Sequence, residues 1–137
     1  MFGKIVLAVD ASLHSERAAV AAVEMSKKFG GEVVVLHVIE KVAGRGGGYS
    51  TETGEDARAL VDAITKTIKD EGLSARGEIQ SAYFGHTARH IVDLAQSEGA
   101  DLIVMGCRGV SDVAGIFVGS VTHKVLQLTE LPVLVVR

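Results

Sequence analysis

Gly106, Gly109, Gly119 and Ser120 stand in the spacing G-x2-G-x9-G-S, and these are the residues whose types and spacing could do chemistry. An apolar run, Ala100-Asp-Leu-Ile-Val-Met105, precedes them and reads as a buried strand. Val121-Thr-His-Lys-Val-Leu-Gln-Leu128 follows with the apolar spacing of a helix. Glycines at the end of a strand let backbone N–H groups approach an anion, and a helix start adds unpaired donors and the positive end of its dipole. The pattern is a means of holding phosphate. Gly106 and Gly109 would approach sugar and phosphates, while Gly119 and Ser120 would present a helix N-terminus and a hydroxyl. Gly-Ser before a helix also describes an ordinary capped turn, so the full spacing after a strand is the more specific signal.

The surrounding elements decide whether that segment lies in a crevice. Lys4–Val9, Glu32–Ile39, Leu102–Met105 and Val133–Val136 are continuous runs rich in Val, Ile and Leu, as expected of parallel strands covered on both faces. Arg76–Tyr83 mixes in polar residues and fits an edge position. Helical patterns lie between them. One is capped by Ser12 and runs to Phe29, a second covers about Glu55–Asp70, a third about His86–Ser97, and a fourth begins at Gly119 or Ser120 and stops before Pro132. Strands alternating with helices predict a single-domain, doubly wound α/β fold with a five-stranded parallel sheet and helices on both faces. The glycine-rich stretch Ala43–Gly54 reads as a flexible surface loop, because apolar patterning resumes only after Gly54.

Bulk properties narrow the function classes. At 137 residues the chain is expected to form one domain, and 47% hydrophobic residues supply a core. A net charge of −3 without a basic cluster argues against nucleic acid. No apolar run approaches the ~20 residues needed to cross a bilayer, and the apolar opening is too short for a signal peptide. One cysteine means no internal disulfide and fits a reducing cytoplasm.

Ligands in open parallel sheets bind at the carboxyl ends of strands, where the winding reverses. Asp10 ends the first strand and Gly106 the fourth. In a 3-2-1-4-5 strand order both line one crevice, where Asp10 could accept hydrogen bonds from ribose hydroxyls or an adenine amine. Asp10 equally fits a role as a turn or cap residue before the first helix.

These segments together resemble the universal stress protein family over nearly the whole chain, residues 1–137. The marks are Lys4-Ile-Val-Leu-Ala-Val-Asp10-Ala-Ser12, Val35-Leu-His-Val-Ile39, Gly99-Ala-Asp-Leu-Ile-Val-Met-Gly106, the glycine motif, and Leu131-Pro-Val-Leu-Val-Val-Arg137. The family's ATP-binding branch carries the same G-x2-G-x9-G-S/T pattern. The resemblance implies a Rossmann-like, adenine nucleotide α-hydrolase-like fold that binds ATP or another adenine nucleotide, with Mg2+ on the phosphates of a triphosphate. It implies a site of Asp10, Ala11, Ser12, Val38, Met105, Gly106, Arg108, Gly109, Gly119, Ser120 and Val121, with Asp10 on base or ribose and the backbone of Val38 on adenine. It also implies a homodimer that pairs the last strands, Val133–Val136. Two departures stand out. Ala11 replaces a common Gly or Pro, and residues 110–118 carry Asp112 but no Lys or Arg, which leaves Arg108 and Lys124 as the nearby cations.

Three functions compete. The first is a nucleotide-binding regulatory protein of the stress response, whose occupancy alters a surface that partner proteins read. The second is a slow ATPase or ATP-dependent transferase, against which stands the lack of a Walker-type lysine after the glycines. The third is a nucleotide-free dimeric scaffold or chaperone-like protein, against which stands the intact glycine motif. Other residues favour plain readings. Cys107 suits a small filler beside a strand. His37 suits a satisfied core histidine, and His86 with His90 suits a helix surface better than a metal site.

Overall fold

The computed structural model describes residues 1–44, 46–50, 52–108 and 118–137. Along the chain run β1 (Lys4–Ala8), α1 (Leu13–Phe29), β2 (Glu32–Gly44), β3 (Gly47–Tyr49), α2 (Gly54–Asp70), β4 (Ala75–Tyr83), α3 (Thr87–Ser97), β5 (Leu102–Gly106), α4 (Ser120–Leu128) and β6 (Val133–Val136). The four expected helices are present, and side-chain caps open two of them. Ser12 Oγ accepts the Ser15 N–H at 3.2 Å to open α1, and Thr53 Oγ1 accepts the Asp56 N–H at 3.0 Å to open α2.

The five parallel strands lie in the order β4-β2-β1-β5-β6. Counted along the chain over parallel strands alone, this is the expected 3-2-1-4-5. One expectation needs correction. The sheet is mixed and has six strands, because β2 runs on to Gly44 and pairs antiparallel with β3, Val42 opposite Tyr49 and Gly44 opposite Gly47. The hairpin falls in the glycine-rich stretch expected to be an irregular loop. Gly46 and Gly47 have φ of 83° and 117°, conformations that tight hairpin turns need and that other residues rarely adopt. The same glycines that mimic a loop in sequence build the turn.

Alternate residues of the central strands face opposite cores. Ile5 and Leu7 of β1, Val33 and Val35 of β2, and Leu102 and Val104 of β5 pack with α1 and α2. Val6, Val34, Leu36, Val38, Ile103 and Met105 pack with α3 and α4. Burial on both faces is why these strands read as unbroken apolar runs. Every helix starts where a strand or hairpin has ended, so all four helix N-termini gather at the carboxyl end of the parallel sheet. No helix among the described residues is long and apolar enough to cross a membrane.

Candidate functional site

The chain leaves β1 toward β2 and β4 on one side and returns through β5 and β6 on the other, so the winding reverses between β1 and β5. A cleft of about 600 Å³ opens at their carboxyl ends.

Its β1 wall is a tight hydrogen-bonded turn. The Val9 N–H donates to the Leu36 carbonyl at 2.9 Å, the Asp10 N–H to Ser15 Oγ at 2.8 Å, and the Ser12 N–H to Asp10 Oδ1 at 2.8 Å. Asp10 thus does both things that its position allowed: it organises the turn before α1, and it lines the cleft.

The β5 wall is closed across the glycine motif. The Gly119 N–H donates to the Cys107 carbonyl at 2.7 Å, and the Cys107 N–H to the Val136 carbonyl at 2.8 Å. Thr122 Oγ1 donates to the Gly106 carbonyl at 2.9 Å and fastens α4 to the end of β5. Gly106 has a packing duty as well. A Cβ there would lie 2.7 Å from His14 Cβ and 2.9 Å from the His14 carbonyl carbon, so only glycine lets α1 approach β5 this closely. Gly119 precedes the first turn of α4 and has no side chain to cap it.

Asp10, Ala11, Ser12, Val38, Met105, Gly106, Ser120 and Val121 are brought together around the cleft. Two other expected residues are not among its lining residues. The Arg108 carbonyl accepts from Ser12 Oγ at 3.5 Å and its guanidinium meets His14 Nε2 at 3.4 Å, while Gly119 is buried. Gly109 and residues 110–117, Asp112 included, lie outside the described residues. Lys124 turns away to donate to the Gly85 carbonyl at 3.1 Å.

Several lining residues were not expected from the sequence: His37, Glu40, Glu52, Asp56, Phe84 and Thr87. Glu40 could have been found, since alternation along β2 puts it on the same face as Val38. Its carboxylate accepts from Thr87 Oγ1 at 2.9 Å at the start of α3. Phe84, 75% exposed, lies at the rim. His37 is a core histidine with both ring nitrogens engaged: Nδ1 lies 2.7 Å from the Val9 carbonyl oxygen and Nε2 2.5 Å from Glu52 Oε1. Glu52 comes from the segment just before α2, which carries no pattern that sequence reading could use.

The described lining therefore carries four carboxylates, Asp10, Glu40, Glu52 and Asp56, and no Lys or Arg. Helix starts offset this charge: Asp10 precedes α1, Glu52 and Asp56 flank the start of α2, and Glu40 meets the start of α3. Among the described residues no group of three His, Cys, Asp or Glu side chains is arranged to hold a metal ion. His90 Nδ1 instead meets Gln80 Oε1 at 2.8 Å.

Fold and cleft define a doubly wound α/β domain with a polar cavity at its topological switch point. The universal stress protein family model matches residues 1–137, and the chain belongs to that family. A universal stress protein of Bacillus subtilis, YxiE, is 34% identical over 153 residues, covering 100% of both chains. Among solved structures, MJ0577 of Methanocaldococcus jannaschii superposes with a TM-score of 0.83 at 28% identity, covering 99% of this chain and 96% of its own. A universal stress protein of Archaeoglobus fulgidus, solved in complex with dAMP, has a TM-score of 0.73 at 25% identity over 100% of this chain and 98% of its own.

Proposed function

We propose that this protein binds an adenine nucleotide in the cleft between β1 and β5 and acts as a regulator through that occupancy. The observation that carries the reading is the convergence of Asp10, Val38 and the start of α4 on one cavity of about 600 Å³. Val38, Met105 and Ile91 offer an apolar bed for a base. Asp10 is a carboxylate for hydroxyls or an amine, and the start of α4 offers backbone N–H groups to phosphate. The dAMP complex of the Archaeoglobus relative supports an adenine nucleotide as the ligand class. ATP is the first candidate. Mg2+, where a triphosphate binds, would be held through the phosphates and supply charge neutralisation there.

The reading is of holding rather than cleaving, since no Walker lysine follows the glycines. The same proposal treats residues 1–137 as one universal stress protein domain in the reducing cytoplasm. It also makes the protein a homodimer through β6, which pairs only with β5 among the described strands and has half-buried residues.

The decisive experiment is extraction of bound nucleotide from purified protein, followed by thermal melting with ATP, ADP or AMP, with and without Mg2+. A ligand at ~100 times its dissociation constant should stabilise the fold by roughly 2.7 kcal/mol. Absence of extracted nucleotide together with an unmoved melting point would transfer the assignment to a nucleotide-free scaffold.

A further inference from the structure

His37 is 6% exposed, and both of its ring nitrogens face oxygen. The Val9 carbonyl can only accept, so Nδ1 carries an N–H and donates it. A neutral ring then has a lone pair at Nε2, and an ionised carboxylate has only acceptors. Two acceptors do not hold each other at 2.5 Å. The contact between Nε2 and Glu52 Oε1 therefore contains one proton, carried either as imidazolium with carboxylate or as neutral imidazole with a carboxylic acid.

That proton has a place in the architecture. Val9 immediately precedes Asp10, and Val38 immediately follows His37. Glu52 immediately precedes Thr53, which caps α2. One imidazole thus ties the exit of β1 and the middle of β2 to the start of α2, and all three border the cleft. The other titratable groups along this lining are Asp10 after β1, Glu40 on β2 and Asp56 on α2. Ser15 and Thr87 represent α1 and α3, and β4 carries Ile79 at the register of His37.

We propose that His37 and Glu52 are positioning residues of the nucleotide cleft, whose shared proton clamps the start of α2 against the ends of β1 and β2. The effect on ligand rests on the nucleotide reading; the clamp itself does not. Breaking the contact releases the α2 side of the cleft and weakens binding.

The test follows the ring nitrogens of 15N-labelled protein by NMR, amide exchange at the start of α2, and the affinity for AMP by calorimetry, at pH ~7, above the phosphate's own titration at about 6. In the unmodified protein His37 is expected to carry a proton on Nδ1. Glu52→Ala should lose about tenfold in affinity, the scale of losing a charge-assisted hydrogen bond, and speed amide exchange across Thr53–Asp56. Glu52→Gln can donate its amide N–H to a neutral Nε2. It should restore most of what Glu52→Ala loses, in affinity and in amide protection. An Nδ1 without a proton in the unmodified protein, or unaltered exchange in Glu52→Ala, would each overturn the clamp. Were AMP not bound, the nucleotide reading would fail, while ring protons and amide exchange would still decide the clamp.

Discussion

The two ends of the parallel sheet treat charge in opposite ways. At the amino end, opposite charges neutralise one another. Arg76 pairs with Glu98 and, at 3.2 Å, with Glu78, while Lys4 Nζ reaches Glu98 at 3.5 Å and Glu32 at 3.8 Å. The Asp101 carboxylate accepts the Gly3 and Lys4 N–H groups at 3.1 and 3.4 Å. At the carboxyl end, four carboxylates line a cleft whose described lining has no Lys or Arg. Helix direction explains the sorting. All four helices begin at the carboxyl end, where their positive poles favour acidic side chains, and Lys27, Lys28 and Lys69 occupy the last turns of α1 and α2 at the other end. The amino end is completed by its own side chains. The carboxyl end is balanced by backbone dipoles, which leaves polar groups directed at a cavity.

If that contrast is right, substitutions at the two ends should separate affinity from stability. The largest effect is expected from Gly119→Val. Backbone angles of −68° and 164° accommodate any residue, and the N–H that reaches Cys107 is retained, so the turn itself should survive, while the ligand-free melting curve reads any cost of adding methyls at this buried position. A branched side chain at the start of α4 obstructs the phosphate approach, and AMP or ATP affinity should fall by ~100-fold or more, some 2.7 kcal/mol. Calorimetry beside a ligand-free melting curve measures both. Affinity within twofold of the unmodified protein, a change of about 0.4 kcal/mol, would remove α4 from the phosphate site.

Gly106→Ala should come next and should move both quantities. The added methyl meets the His14 Cβ and backbone, both in a helix whose first turn is tied to Asp10 by Ser15. Relief requires α1 and β5 to separate, at a cost of roughly 1–3 kcal/mol in urea unfolding, with affinity falling because the turn at Asp10 moves with α1. A stability loss without any loss of affinity would show that Gly106 serves packing alone.

Asp101→Ala, at the amino end, should do the reverse of Gly119→Val. Removing the acceptor for two backbone N–H groups should lower stability by about 1 kcal/mol and leave nucleotide affinity where it was. A matched fall in affinity would mean that the two ends are mechanically coupled, and the contrast drawn above would lose its force.

How much of this was legible in the sequence differs between the ends for a physical reason. The parallel strands and their helices were readable because burial on both faces forces continuous apolar runs, as at Val33–Ile39 and Leu102–Met105. The glycine spacing pointed to the strand end at which the cleft opens. The β3 hairpin was hidden because it is exposed and built largely of glycine, so nothing apolar marks it. The second duty of Gly106 was equally hidden, since close approach of α1 is a tertiary contact. His37 and Glu52 are 15 residues apart and meet only because the segment before α2 folds back over β2. A lone histidine in an apolar run cannot announce its partner. Alternation along β2 could have supplied Glu40.

The smallest effect, and the finest test of the amino end, is Arg76→Gln. Hydrogen bonding from the Arg76 guanidinium is the largest influence on the Glu98 carboxyl and holds it below its ordinary value of 4.5, against an opposing contribution from desolvation. A carboxyl whose folded value is depressed contributes stability that is fully present above the unfolded value and is lost as pH falls through the folded one. The unmodified protein should therefore exceed Arg76→Gln in stability near neutral pH by a few tenths to about 1 kcal/mol, the range of exposed ion pairs. The gap should narrow as the pH drops below 4.5 and as salt is added. Urea unfolding of both proteins across that range measures the gap directly. Because Arg76 lies at the far end of the sheet from the cleft, AMP affinity should be the same in both. A gap that widens toward acid would reverse the sign and show that the network, rather than neutralising charge, strains the fold.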